Sequence, residues 1–295
     1  MYSTHIHSDI NDISFNELNE YYNKIFADKV SQIAKGGDIS VAVLDSGVDM
    51  FHDKLRNRIY GGYNAAKNNL DIFDQLGHGT YITGLINGID IGLAKNVKMH
   101  CIKVTDDNFK VELKSVLNAI EWCIKKNIDI VCMPFSSYTY NNELDNIIKK
   151  ATNVHNIIFI ASAGNNPKDI SYPAKYEDVI SVGSIDYCLQ RAEFSGTGAE
   201  LDMVAPGVQI PSLYSYNRYA VASGSSPSTA IATSLITIIQ QLRINDSGVK
   251  FNLYQLRKWI RKNLTDLGEL GYDNLYGYGI IDFKRMENND YKLTL

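Results

Sequence analysis

Four short stretches carry side chains that, brought together, could perform nucleophilic catalysis. VAVLDSGVD (41–49) places Asp45 at the end of an apolar run, and GHGTYITGL (77–85) places His78 between two glycines. SGSSPSTA (223–230) offers hydroxyls at Ser223, Ser225, Ser226 and Ser228, and ASAGNN (161–166) offers the amide of Asn165. A serine hydroxyl is a poor nucleophile near neutral pH. It needs an imidazole to take its proton, and the imidazole needs a buried carboxylate to fix its tautomer and stabilise its cation. An asparagine amide can donate to the oxyanion of the tetrahedral intermediate that follows. Each residue also has an ordinary reading: Asp-Ser-Gly after a strand and Gly-Asn-Asn-Pro are both good turn chemistry. Composition alone cannot choose among the four serines.

The order and wording of these stretches resemble the subtilisin-like serine proteases, the subtilases, in which aspartate, histidine and serine follow one another in this order. The resemblance runs over roughly residues 25 to 285 and includes GLAKNVKMHCIKV (92–104), YPAKYEDVISVGSID (172–186), FSGTG (194–198), LDMVAPGV (201–208) and LYGYGIIDF (275–283). It implies a triad of Asp45, His78 and Ser226, with Asn165 and the backbone N–H of Ser226 forming the oxyanion hole. Ser226 is selected because Gly224-Ser225-Ser226 stands where the family has Gly-Thr-Ser. Pro227 and Ala230 depart from the family's Met and Pro. Pro227 is compatible with a helix whose cap is Ser226, since proline suits the first helical position. The glycines beside His78 would let the backbone approach a substrate closely.

The resemblance also implies where a peptide binds. Pro134-Phe135-Ser136 stands where the family's Ser-Leu-Gly edge pairs with substrate, and Ser162-Ala163-Gly164 would form the opposite wall of the pocket for the residue before the cleaved bond. Proline cannot donate, so position 134 has only its carbonyl to offer. Phe135 and Ser136 should narrow the pockets, which points to restricted specificity. Asp169 or Glu177 could supply charge to that pocket, or be solvated loop residues. His52, in FHDKL, is expected to be structural, as are His5, His7, His100 and His155. Tyr172-Pro173 resembles a family position with a cis peptide bond. Leu85–Ile91 runs directly into Gly92 and is too short for the calcium loop of secreted subtilases, and Asp90 alone cannot supply six to eight oxygen ligands. No cofactor and no metal are expected, although calcium elsewhere stays open.

These groups need a scaffold. Ile39–Leu44, Met99–Val104, Ile128–Met133, Ile157–Ser162 and Val179–Gly183 read as short buried strands. Between them His78–Asn87, Val111–Lys126 and Glu143–Val154 read as helices, and Pro227–Leu242 and Leu253–Leu264 as closing helices. In the second of these, Leu113, Val116, Leu117, Ile120 and Ile124 recur at helical spacing. Alternating strands and helices imply an α/β fold: one mostly parallel sheet with helices on both faces, the three-layer arrangement of the subtilases. Residues at the carboxyl ends of such strands line the usual ligand crevice, and Asp45 and Asn165 fall there. No repeat or linker divides the chain, so the reading is an N-terminal extension over 1–24 and one catalytic domain over 25–295.

Composition bounds the rest. The chain has 295 residues, 45% apolar and 21% charged, with a net charge of −4. Nothing here favours nucleic-acid binding or an anionic membrane surface. Cys101, Cys123, Cys132 and Cys188 match no zinc spacing and read as buried free thiols, which suits a reducing compartment. The polar, acidic start has no apolar signal core, and about 35 residues precede the first strand, too few for the inhibitory prodomain of secreted subtilases. The expectation is therefore a cytoplasmic monomer acting on a peptide. Among subtilases it resembles the leader peptidases of lanthipeptide (lantibiotic) biosynthesis, with a broad-specificity intracellular or secreted protease as the alternative and a peptide-binding pseudoprotease as a further one.

Overall fold

Seven parallel strands build the main sheet, in the order β3-β4-β2-β5-β6-β7-β8. These are β2 (Ser40–Asp45), β3 (Ile59–Asn64), β4 (Lys98–Lys103), β5 (Ile130–Met133), β6 (Ile158–Ser162), β7 (Val179–Ile185) and β8 (Met203–Pro206). The computed structural model describes residues 5–10, 35–108 and 110–283, with the backbone path alone for 5–10. Strands β2, β5 and β6 are buried along nearly their whole length, which is why they read as continuous apolar runs and not as alternating ones.

A second, antiparallel sheet has the order β1-β10-β9, from β1 (His5–Ile10), β9 (Ile210–Tyr214) and β10 (Arg218–Ser223). The sequence reading missed this hairpin. Its turn is made by Tyr216 and Asn217, both at positive φ, and neither is a glycine that would advertise a tight turn. It also missed β3, where two glycines dilute the apolar signal, and β8, which is only four residues long. The remaining strand and helix boundaries differ from expectation by two residues at most, with His78–Asn87 agreeing at both ends, apart from the helix that carries Ser226.

Five helices accompany the sheet: α1 (His78–Asn87), α2 (Leu113–Lys125), α3 (Asn142–His155), α4 (Ser225–Ser247) and α5 (Leu253–Asn263). Helix α1 packs on α4, and α2 packs on α3, and each pair also touches the strands. In α2, Val116, Ala119, Ile120 and Cys123 form the buried stripe that the spacing predicts. Helix α3 is capped by the Asn141 side chain, which accepts from the Leu144 N–H at 3.0 Å. Helix α5 carries a full capping box between Asn252 and Gln255. Helix α4 is different: nearly every residue from Ser225 to Gln240 is buried. The hydroxyls of Thr229, Thr233, Ser234 and Thr237 each donate to the carbonyl four residues back, so a polar sequence can run through the core without unpaired groups.

The expectation that Ser226 caps this helix is corrected. The helix begins at Ser225, its N-cap is Gly224, and Pro227 occupies the third position. Proline is tolerated there because the first turn of a helix has no internal acceptors for its N–H groups. Cys101, Cys123 and Cys132 are buried, and burial pushes the thiols of Cys101 and Cys132 up to about 12. Cys188 corrects the expectation of four buried thiols, since it sits exposed in the turn after β7. The proposed extension over 1–24 lies outside the described residues except for the β1 backbone. Among the described residues no helix is long and apolar enough to cross a membrane.

Candidate active site

The site forms where adjacent strands β2, β5 and β6 end. Strand β2 ends in Asp45, β5 leads into Pro134–Ser136, and β6 ends in Ser162 and leads into Asn165. The chain places β3 and β4 on one side of β2 and all later strands of this sheet on the other, so the crevice lies where the strand order reverses.

Asp45 is 1% exposed and His78 5%. The two carboxylate oxygens lie 2.9 and 2.8 Å from His78 Nδ1. A carboxylate can only accept, so Nδ1 carries the hydrogen and Nε2 is left as the basic nitrogen. The Ser46 N–H donates to Asp45 Oδ1 at 2.6 Å and helps to fix that carboxylate. His78 opens α1, and its backbone is set by Gly77 at φ 93°. The expectation that the flanking glycines leave room for substrate is corrected. A side chain on Gly79 would meet the Gly47 carbonyl at 2.1 Å, and one on Gly77 would meet the Tyr214 ring at 2.4 Å. The space is used by the protein itself, to bring the Asp45 loop against the start of α1.

One residue essential to this packing escaped the sequence reading. Asp74 is fully buried, and five donors converge on it. Its Oδ1 accepts from the Ser46 hydroxyl, Leu76 N–H and Gly77 N–H at 2.8, 3.1 and 2.8 Å. Its Oδ2 accepts from the N–H and hydroxyl of Thr80 at 2.8 and 2.7 Å. Ser46 in turn accepts from the Gly79 N–H at 2.9 Å. Asp74 therefore ties the residue after Asp45 to the helix that begins with His78. The available signal was its position three residues before the helix N-cap, where an aspartate forms an Asx turn.

Ser226 is 4% exposed, and its hydroxyl donates to the Pro134 carbonyl at 2.7 Å. Position 134 thus offers its carbonyl to the hydroxyl at 226. Asn165 is held by the neighbouring serine: its Oδ1 accepts from the Ser225 N–H at 2.9 Å and the Ser225 hydroxyl at 2.8 Å. The Ser162 hydroxyl lies 2.5 Å from Ser225 Oγ and extends the chain of hydroxyls to the end of β6. Because Oδ1 takes both donors, the NH2 end of Asn165 is directed away from them. Ser226 sits in the first turn of α4, where its N–H has no helical acceptor and the helix end adds positive potential.

Beside these groups lies a cavity of about 710 Å³, lined by Val111, Leu113, Phe135, Ser136, Tyr138 and Asn165 among others. Asp169 lies 2.6 Å from Lys175 Nζ, so its charge is already paired. The Glu177 carbonyl accepts from the Arg257 guanidinium. His52 is buried, accepting from the Lys54 N–H at Nδ1 and donating through Nε2 to the Arg218 carbonyl at 3.0 Å. Burial lowers its pKa. His100 is buried beside Trp122, and His155 is exposed at the end of α3. The side chains of His5 and His7 lie outside the described residues. The Tyr172–Pro173 peptide is cis. Asp90 pairs with Lys54 at 2.6 Å, and among the described residues no group of three His, Cys, Asp or Glu side chains is placed to hold a metal ion.

The chain matches the family model described as the subtilase family (Peptidase_S8) over residues 36–279. It is 36% identical to the minor extracellular protease Epr of Bacillus subtilis over 257 residues, covering 84% of this chain and 38% of that protein. It is 32% identical to subtilisin DY of Bacillus licheniformis over 272 residues, covering 88% of this chain and 94% of the relative. Subtilisin E of Bacillus subtilis is 31% identical over 263 residues, covering 85% of this chain and 66% of that protein.

Proposed function

The chain belongs to the subtilase family of serine endopeptidases, and from that premise we propose that Ser226 is its nucleophile and that it removes the leader from a lanthipeptide precursor. In this reading His78 Nε2 takes the Ser226 proton as the hydroxyl oxygen attacks the peptide carbonyl. Asp45, fixed on Nδ1, stabilises the imidazolium that forms. Asn165 and the Ser226 N–H hold the oxyanion. The imidazolium then protonates the leaving amine, and water, activated by the same histidine, releases the acyl group.

The observation that carries the peptidase reading is the Asp45–His78 pair at 2.8 Å, buried in the same crevice as a hydroxyl at the start of α4. The leader-peptidase reading is supported by the departures along the substrate edge, where Pro134, Phe135 and Ser136 replace the family's Ser-Leu-Gly. Such a site suits one dedicated peptide better than many. A cytoplasmic location is supported by the free cysteines, three of them buried. The second reading, a secreted protease of broad specificity, is favoured by one relative whose name describes it as extracellular.

A fluorophosphonate probe tests the chemistry. It should label the folded protein, and Ser226→Ala should abolish both labelling and cleavage; persistent cleavage would move the nucleophile elsewhere. Cleavage of a lanthipeptide precursor at a single bond, with casein left largely intact, would support the dedicated substrate. Rapid degradation of casein would favour the broad protease.

A further inference from the structure

This inference rests on the peptidase reading and concerns the side chain accepted just before the cleaved bond (P1). Two backbone walls leave adjacent strands and flank Ser226: Pro134–Ser136 after β5, and Ser162–Gly164 at the end of β6. The first wall touches Ser226 through the Pro134 carbonyl. The second holds Ser225 through Ser162. Beyond them the slot is closed, because Ser137 and Tyr172 exchange two backbone hydrogen bonds of 2.8 and 2.7 Å.

The closed end is not apolar. Gly164, at φ 93°, has no room for a Cβ, because two hydroxyls from different loops crowd its position: Ser171 Oγ lies 2.7 Å and Tyr138 Oη 3.1 Å from where that atom would be. They are chemically unlike. Ser171 is fully buried and gives its proton to the Ser162 carbonyl at 3.2 Å, which leaves its oxygen as an acceptor. The Tyr138 hydroxyl has no hydrogen-bond partner among the described residues. Desolvation, with the charge of Asp169 beyond it, raises its pKa, so the phenol stays a donor.

The charges nearby are accounted for. Asp169 is paired with Lys175, and Lys175 also approaches Glu200 at 4.0 Å. A lysine, arginine or glutamate side chain entering the slot would find no unpaired counter-charge at its end, and burying it would be costly. A leucine or phenylalanine would leave a buried acceptor and a donor facing carbon. One uncharged group offers an acceptor to the phenol and a donor to the serine within a single planar unit: the carboxamide.

We propose that Tyr138 and Ser171 are specificity-determining residues that select glutamine or asparagine at P1, the side-chain carbonyl accepting from Tyr138 and the NH2 donating to Ser171. The test is a peptide series differing only at P1, with Gln, Asn, Glu, Leu, Phe, Lys and Ala. The Gln or Asn peptide should exceed the Leu, Glu and Lys peptides about tenfold or more in kcat/KM, the scale of one to two hydrogen bonds. Tyr138→Phe should lower the ratio of kcat/KM for the Gln or Asn peptide over the Ala peptide by about threefold to tenfold. Tyr138 is 53% exposed, so this variant should fold even if Ser171→Ala does not. Cleavage best after Leu, Phe or Lys, or an unchanged ratio in Tyr138→Phe, would overturn the assignment while fluorophosphonate labelling of Ser226 left the peptidase reading standing. No labelling and no cleavage would bring down both.

Discussion

Asp74→Asn should weaken both the fold and the active site although Asp74 touches none of the reacting groups. The substitution keeps the shape of the side chain but replaces one accepting oxygen by a donor. Five donors face the two carboxylate oxygens, three at Oδ1 and two at Oδ2. If the new amide keeps its oxygen toward Ser46, Leu76 and Gly77, its NH2 meets the N–H and hydroxyl of Thr80. The hydroxyl can rotate, but the N–H cannot. The reverse orientation opposes two backbone N–H groups instead. The better orientation therefore loses two hydrogen bonds to a charged acceptor, each worth about 1.5–3 kcal/mol, with partial recovery through the Thr80 hydroxyl, for a net loss of about 2–4 kcal/mol. At this chain length 1 kcal/mol is worth about 2 °C, so the melting temperature should fall by about 4–8 °C. Because Ser46 follows Asp45 and Gly79 follows His78, the same displacement should slow fluorophosphonate labelling of Ser226 by about tenfold, as expected when a supporting hydrogen-bond partner shifts a catalytic pair by a fraction of an ångström. Thermal unfolding and labelling rates on parent and variant check both effects. A variant that melts within about 1 °C of the parent and reacts with the probe at the parental rate would refute the reasoning.

Further outcomes are expected at other positions. Asn165→Leu should lower kcat by the ~10²–10³ measured when such a donor is removed from subtilisin itself; Ser225→Ala, which removes one of the two donors that hold Asn165 Oδ1 and keeps the Ser225 N–H, should cost less, about tenfold, in the same assay. A calcium chelator should leave the melting temperature unchanged to within about 2 °C, and a larger fall in calorimetry would reveal a site that the short loop before Gly92 does not provide. His100 should make the protein acid-sensitive. Burial, with a smaller contribution from Lys126, pushes its pKa from 6.5 to about 4. The unfolded chain therefore takes up the proton first, and stability held above pH 6.5 is lost progressively as pH falls toward 4, by up to about 3 kcal/mol. His100→Phe should flatten urea-midpoint curves over that window, and an unchanged slope would exclude His100 as the cause.

The parts of the molecule legible in the sequence share a physical property: their signal is local. Buried parallel strands such as Ile158–Ser162 announce themselves as β-branched apolar runs, and α2 announces itself by a stripe at 3.6-residue spacing. Asp45, His78 and Asn165 stood out through short motifs that resemble those of the subtilases, and only that resemblance separated Ser226 from the serines beside it. Asp74 did not stand out, because its importance lies in five donors that only folding gathers, four of them from residues 76 to 80 and one from residue 46. Helix α4 was set two residues late at its start and five residues short at its end. Its polar first turn looks like loop, and its buried threonines hide the absence of any solvent face. Tyr138 carried no signal at all, since an aromatic residue in a loop says nothing about where its hydroxyl points.

Topology explains why residues so far apart meet. In a parallel sheet every strand delivers its carboxyl end to the same edge, so β2, β5 and β6, adjacent in space, bring Asp45, Pro134 and Ser162 to one rim. The histidine and serine must reach that rim from helices. Each is placed in the first turn of one, and α1 packs directly on α4. A first turn is the one part of a helix whose N–H groups are unspent, so Ser226 brings an N–H without a helical acceptor together with its hydroxyl. The same logic makes Pro227 harmless: it removes an N–H that the helix had no acceptor for. Its ring does restrict the backbone of Ser226 beside it. Pro227→Met, the family's residue at this position, should thus leave unfolding nearly unchanged while altering the labelling rate of Ser226. A large loss of stability with an unaltered rate would mean that the proline serves the helix and not the nucleophile.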